Sequence, residues 1–303
     1  MIYTITFNPA IDYVMKFPQV RHGNVNRSVS ENVFFGGKGI NVSIVLSQLG
    51  VANTALGFIA GFTGDELEKG VRAMGVNTDF IRLKQGMTRI NVKVSSENEV
   101  TELNANGPDI DERSLAELVK QTDRLTDGDT LVLAGSIPKC LPEDTYEKLI
   151  ERVSDRDIRV VADAEKNLLT NVLKYRPFLV KPNVEELSAI FGKPVIGMDE
   201  VKEYSAKLQE MGARNVIVSM GSNGAFLLDE NGEKHFHTAF SSGKTINAVG
   251  AGDSMVAGFL AGYEKGCDYA LVLGLAAGAA TAFSEGIATK FAIDELMKET
   301  GLQ

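Results

Sequence analysis

An aspartate directly behind a glycine turn is the residue of this chain best suited to chemistry. Val249-Gly250-Ala251-Gly252-Asp253-Ser254 opens a run of small and apolar residues, Met255 to Gly262, that reads as a closely packed helix. Free N–H groups and the positive dipole end at such a helix start attract anions, phosphate above all. Asp253 places a carboxylate where a phosphate would be welcome. Two readings are open: it caps the helix, or it takes a proton from a hydroxyl beside donors that steady a transferred phosphoryl group.

Other stretches carry similar choices. Gly36-Gly37-Lys38-Gly39-Ile40-Asn41 sets a lysine in a glycine turn at a helix start, which suits a phosphate or is a turn with a solvent-facing lysine. Arg89 begins a strand, as an anion clamp or as a surface residue. Asp12 follows the first strand, and either accepts sugar hydroxyls or closes a turn. Asn183 and Glu186, after Lys181-Pro182, have the spacing of a capping box; a carboxylate there also suits a hydrated Mg²⁺. Ser219-Met220-Gly221-Ser222-Asn223-Gly224 is a glycine loop after a strand, open to a nucleotide or simply a turn. Ser242-Gly243-Lys244-Thr245 lacks the first glycine of a P-loop, Thr238 standing in its place, and no G-x-G-x-x-G follows a strand. His235 and His237 alternate with Phe236, which points to pairing across a strand rather than to metal.

The elements that must position these residues follow from apolar periodicity. Ile2–Phe7 reads as a strand stopped by Asn8-Pro9, and Tyr13–Val33 as exposed strands outside the main sheet. Thr88–Val94 and Val100–Asn104 alternate across a polar link, Ser95 to Glu99, and with Tyr13–Val33 make a small separate sheet. From Asp111 helices and apolar strands take turns, including a helix over Glu165–Tyr175 before a strand over Phe178–Lys181. That pattern predicts an α/β fold with a mostly parallel sheet flanked by helices on both faces. Ala225–Asp229 and Lys234–Thr238 close it as a hairpin, and two Ala/Gly-rich helices follow, about Val249–Gly262 and Tyr269–Ser284. Ligands collect outside the carboxyl ends of parallel strands. The rule gathers Asn8–Asp12, Gly135–Pro138, Pro182-Asn183, Gly221–Gly224 and Gly250–Asp253 on one rim.

Composition sets the bounds. With 31 basic against 40 acidic residues the net charge is −9, which argues against a nucleic-acid or anionic-membrane surface. An anion site must therefore be a local positive spot. Two distant cysteines suit a reducing compartment, the N-terminus lacks the basic start of a signal peptide, and Tyr269–Phe283 falls short of the roughly 20 apolar residues that span a bilayer. A cytoplasmic protein of one domain over residues 1–303 is the expectation.

Taken together, Gly36–Asn41 and Asn247-Ala248-Val249-Gly250-Ala251-Gly252-Asp253-Ser254 resemble the two signatures of the ribokinase-like (PfkB) sugar kinases. The resemblance spans nearly the whole chain, taking in Lys181-Pro182-Asn183 with Glu186 and Ser219-Met220-Gly221. It implies a ribokinase-like core with a small β-sheet lid, formed by about 12–34 and 88–105, which often helps make a homodimer. It implies ATP and Mg²⁺, with Asp253 as base and the N–H groups of Gly250, Ala251 and Gly252 as anion hole. Asp12, Gly37, Lys38, Asn41, Arg89 and Ser136 would hold the sugar phosphate. Lys181, Asn183, Ser219, Gly221 and Gly224 would lie along ATP, and Glu186 near the metal, through water. Thr88-Arg89-Ile90-Asn91-Val92-Lys93, Glu102 to Pro108 and Ala134 to Pro138 are most similar to the family's kinases of fructose 1-phosphate, with those of tagatose 6-phosphate as near neighbours. A non-catalytic sugar-phosphate sensor on the same fold has no need of Asp253.

Overall fold

Apolar runs of four to eight residues, each followed by a helix with one apolar face, build the molecule. The structure, a computed structural model, describes residues 1–96, 99–164 and 166–302. In chain order the elements are β1 (Ile2–Thr6), β2 (Ala10–Lys16), β3 (Ser30–Gly36), α1 (Lys38–Gln48), β4 (Asn53–Ala60), α2 (Gly61–Ala73), β5 (Asn77–Leu83), β6 (Arg89–Ser95) and β7 (Val100–Asn104). Next come α3 (Glu112–Gln121), β8 (Thr130–Ala134), α4 (Thr145–Val153), β9 (Arg159–Asp163), α5 (Lys166–Leu173), β10 (Leu179–Val180), α6 (Val184–Phe191) and α7 (Met198–Glu210). The chain ends with β11 (Asn215–Ser219), β12 (Ala225–Leu228), β13 (Lys234–His237), α8 (Ala251–Gly262), α9 (Cys267–Ala282) and α10 (Lys290–Thr300).

Among the described residues the main sheet has nine strands in the order β13-β12-β11-β10-β9-β8-β1-β4-β5. Pairing is parallel from β5 through β11 and antiparallel between β11 and β12 and between β12 and β13. Side chains alternate across it, as the pleat requires. Leu131 and Leu133 of β8 join one core with α3 to α7, while Val132 and Ala134 join the other with α1, α8, α9 and α10. No helix among the described residues is long and apolar enough to cross a membrane.

The seam between α8 and α9 is unusually close. A Cβ on Gly258 would come within 2.6 Å of the Leu273 carbonyl oxygen, and one on Gly274 within 2.8 Å of that of Met255. Here main chain meets main chain, which explains the Ala/Gly-rich composition of both helices.

The small second sheet runs β3-β2-β6-β7. Its inner pair, β2 with β6, is parallel, flanked by antiparallel β3 and β7. Register sets Asp12 beside Asn91, and Asn91 beside Asn104.

Some expectations are revised. The strand expected over Phe178–Lys181 shortens to β10. β5 and α10 were not anticipated: β5 is an edge strand with a mixed burial pattern, and α10 is a terminal helix started by the Thr289 side chain. Glu97 and Asn98 of the polar link, and Glu165 at the start of one expected helix, lie outside the described residues.

Candidate active site

Gly250 makes the turn ahead of α8. Its φ is +83°, a left-handed conformation that glycine adopts at no steric cost. Asp253 then falls in the first turn of α8, and it does not cap that helix. Its Oδ2 instead accepts from Asn41 Nδ2 at 2.7 Å, a residue one turn into α1. Asp253 is only 5% exposed. Burial, and next the negative charge of Asp163, push its carboxyl up to about 7, against the pull of Asn41, Lys38 and Lys181. A group that gives up its proton near neutrality is matched to general-base work.

Asp163 ends β9 and is buried. Lys181 Nζ lies 3.5 Å and Lys38 Nζ 3.8 Å from its Oδ1, while Oδ2 has no hydrogen-bond partner. Lys181 is itself 6% exposed. The capping box is present: Asn183 Oδ1 accepts from Glu186 N, and Glu186 Oε2 from Asn183 N, both at 2.8 Å. Across the sheet Asn183 bridges to Ser219.

On the small sheet, Asp12 accepts from Asn91 Nδ2 at 2.9 Å and pairs with Lys93 at 3.1 Å. Arg89 Nε donates to the Asn8 carbonyl at 3.2 Å. Burial holds the Arg89 guanidinium below its ordinary value, and Asp12 offsets part of that.

These groups share one cleft of about 700 Å³ outside the carboxyl ends of the parallel strands. It brings together Asp12, Gly37, Lys38, Asn41, Arg89, Lys181, Asn183, Glu186, Ser219, Gly250, Gly252 and Asp253. Ser136, Ala251, Gly221 and Gly224 do not line it. Ser136 and Gly221 are exposed, and Gly224 is buried where a Cβ would fall 2.0 Å from the His237 carbonyl oxygen.

The family model described as pfkB family carbohydrate kinase matches residues 2–293. The chain belongs to the pfkB family of carbohydrate kinases. As a pfkB kinase it is an ATP-dependent phosphotransferase with a carbohydrate acceptor. It is 43% identical over 301 residues to the 1-phosphofructokinase of Bacillus subtilis (strain 168), covering 99% of this chain and 98% of that one. To the D-tagatose-1-phosphate kinase of Bacillus licheniformis it is 35% identical, with 97% of each covered. The crystal structure of phosphofructokinase-2 from Escherichia coli in complex with substrates and products matches with a TM-score of 0.92, at 26% identity over 99% of both chains.

Among the cleft residues of this pfkB kinase that the sequence reading did not assign to the site are Asp163, Asn91 and Lys93. Asp163 carried a usable signal, because it closes an apolar strand at the same rim as the other motifs. Asn91 and Lys93 follow Arg89 at intervals of two, so they share its face of β6.

Gly252 supplies a first test of this geometry. A Cβ there would stand 3.0 Å from Lys181 Nζ. Alanine is the better helix former by about 1 kcal/mol, so Gly252→Ala should unfold no earlier than wild type. Crowding of Lys181 should nevertheless lower kcat/KM by about tenfold or more. Equal kcat/KM would mean that the lysine has no positioning duty.

Proposed function

We propose that this pfkB kinase transfers the terminal phosphoryl group of ATP to the 6-hydroxyl of fructose 1-phosphate, giving fructose 1,6-bisphosphate. The observation that carries the reading is Asp253: a buried carboxylate pushed up to about 7, fixed by Asn41 and facing the cleft from the glycine turn. It removes the hydroxyl proton as that oxygen attacks phosphorus in line. The N–H groups of Gly250 and Gly252 at the start of α8 face the charge that develops on the transferred group, whereas Ala251, off the cleft, donates its N–H to the Ala248 carbonyl. Lys38, Asn41, Arg89 and Asp12, with Gly37 making the turn, bind the sugar phosphate. Lys181, Asn183 and Ser219 line the nucleotide's side of the cleft, and Gly221 extends it along the adjoining turn. Closure of the small sheet keeps water from competing with the sugar.

Two carboxylates fit Mg²⁺. Asp163 Oδ2 is a buried acceptor without a partner, and Glu186 spends only Oε2 on its cap. Glu186 would hold Mg²⁺ through water, and the ion would neutralise phosphate charge during transfer. On the outer side of the small sheet, Val33, Tyr13, Val92 and Leu103 stand in register, an apolar row through which two copies pair.

The relative that acts on D-tagatose 1-phosphate makes its acceptor the second reading. Steady-state kinetics with fructose 1-phosphate, tagatose 1-phosphate, tagatose 6-phosphate and fructose 6-phosphate test the choice. Fructose 1-phosphate should give the highest kcat/KM. A higher value for any other acceptor replaces it as substrate, and no ADP with any of them makes the protein a sensor.

A further inference from the structure

The face of the small sheet that looks into the cleft carries more chemistry than sugar-phosphate binding has so far used. Arg89, Asn91 and Lys93 stand two residues apart on β6, and all three line the cleft. Neighbouring strands complete the rows: Asp12 and Asn104 flank Asn91, and Val14 and Glu102 flank Lys93.

Within this array one atom is unaccounted for. Asn91 is only 8% exposed and donates from Nδ2 to Asp12 Oδ1, yet its Oδ1 is buried without a hydrogen-bond partner. The amide cannot be turned round to mend this. Reversal would set its carbonyl oxygen against the Asp12 carboxylate and strand the NH₂ instead. Asp12 is pinned on its other side by Lys93, whose Nζ lies 3.1 Å from Oδ2 and 3.9 Å from Glu102 Oε1. The row therefore ends, on a residue that lines the cleft, in an acceptor that no described group of the protein satisfies.

We propose that Asn91 Oδ1 accepts a hydrogen bond from a secondary ring hydroxyl of the bound ketohexose phosphate, with Lys93 as the positioning residue that holds Asp12 and through it the amide, so that this row selects between epimers of the acceptor. The inference rests on the sugar-phosphate reading above and names what recognises the sugar ring. Fructose and tagatose phosphates differ in the direction of a single secondary hydroxyl. The epimer whose hydroxyl points elsewhere leaves Asn91 Oδ1 buried and unpaired, which is how a hydrogen-bonding site rejects an analogue. Lys93 acts through Asp12: its ammonium holds the carboxylate in place against the amide.

The test compares kcat/KM for fructose 1-phosphate and tagatose 1-phosphate in the full-length enzyme. Asn91→Ala should raise KM for the preferred epimer by about tenfold or more, leave KM for ATP unchanged, and bring the ratio between the epimers close to one. Lys93→Met keeps the aliphatic stem and should raise the sugar KM with little change in kcat; Lys93→Arg should restore most of the loss. An unchanged epimer ratio in Asn91→Ala, with ATP binding intact, overturns the proposal. So does a Lys93→Met variant with wild-type KM for the sugar. Wild-type turnover of fructose 1-phosphate tests the functional reading separately, whereas the epimer ratio tests Asn91 whichever of the two the wild type prefers.

Discussion

Asp253→Asn should yield a folded enzyme that binds ATP as before and turns over at least ~10²-fold more slowly, the lower range for losing a general base. The amide keeps the shape of the side chain and leaves an oxygen to accept from Asn41, so the loss is one of proton affinity. Wild-type kcat/KM should rise with pH through about 7 as the Asp253 carboxylate forms, and the residual activity of the variant should lack that limb. Stability should move the other way. A carboxyl whose value is raised from 3.8 to about 7 binds its proton more tightly in the folded state. Between those values stability therefore falls as pH rises, and above 7 the whole cost is present. A neutral amide escapes it, so Asp253→Asn should melt at or above the wild-type temperature at pH 8. Near-normal turnover, or a lower melting temperature at pH 8, would remove Asp253 from the role.

The second large effect is expected at Asp163. This buried carboxylate answers two lysines, at 3.5 and 3.8 Å, and Lys181 has almost no access to water. Removing one partner of a buried pair leaves an uncompensated charge, which costs about 3–5 kcal/mol. Asp163→Asn should lose stability on that scale in denaturant titrations at neutral pH. It should also change the chemistry of Asp253, since the Asp163 charge is one of the two influences that raise its carboxyl. With that charge gone and both lysines kept, the acid limb of kcat/KM should shift to lower pH. If the limb stays in place, the two carboxylates do not sense each other.

How much of this was legible beforehand depended on whether a residue announced itself locally. The glycine turns at Gly36–Gly39 and Gly250–Gly252 did, because a glycine cluster entering an apolar helix has few other uses; their side chains Lys38, Asn41 and Asp253 meet in one cleft. The capping box of Asn183 and Glu186 was legible as a cap, and it forms as one. Asp163 was missed as a site residue because a lone acid at the end of a strand has no spacing partner; only the packing of β9 between β8 and β10 brings it to Lys38 and Lys181. Asn91 and Lys93 stayed hidden for a related reason. Their significance lies in the parallel pairing of β2 with β6, set by strands some 80 residues apart. Gly224 shows the reverse error: it looked like room for a nucleotide, but its place is filled by the neighbouring strand's carbonyl.

The contact between α8 and α9 bears on where inactivating substitutions will be found. Because those helices touch through their own peptide groups, no flexible side chain lies between them to absorb an added methyl. An alanine at Gly258 or Gly274 must lever one helix off the other, and the far end of that lever is the turn holding Gly250. Loss of activity should therefore cluster in a seam that no substrate reaches, and variants there will look like active-site damage delivered from a distance.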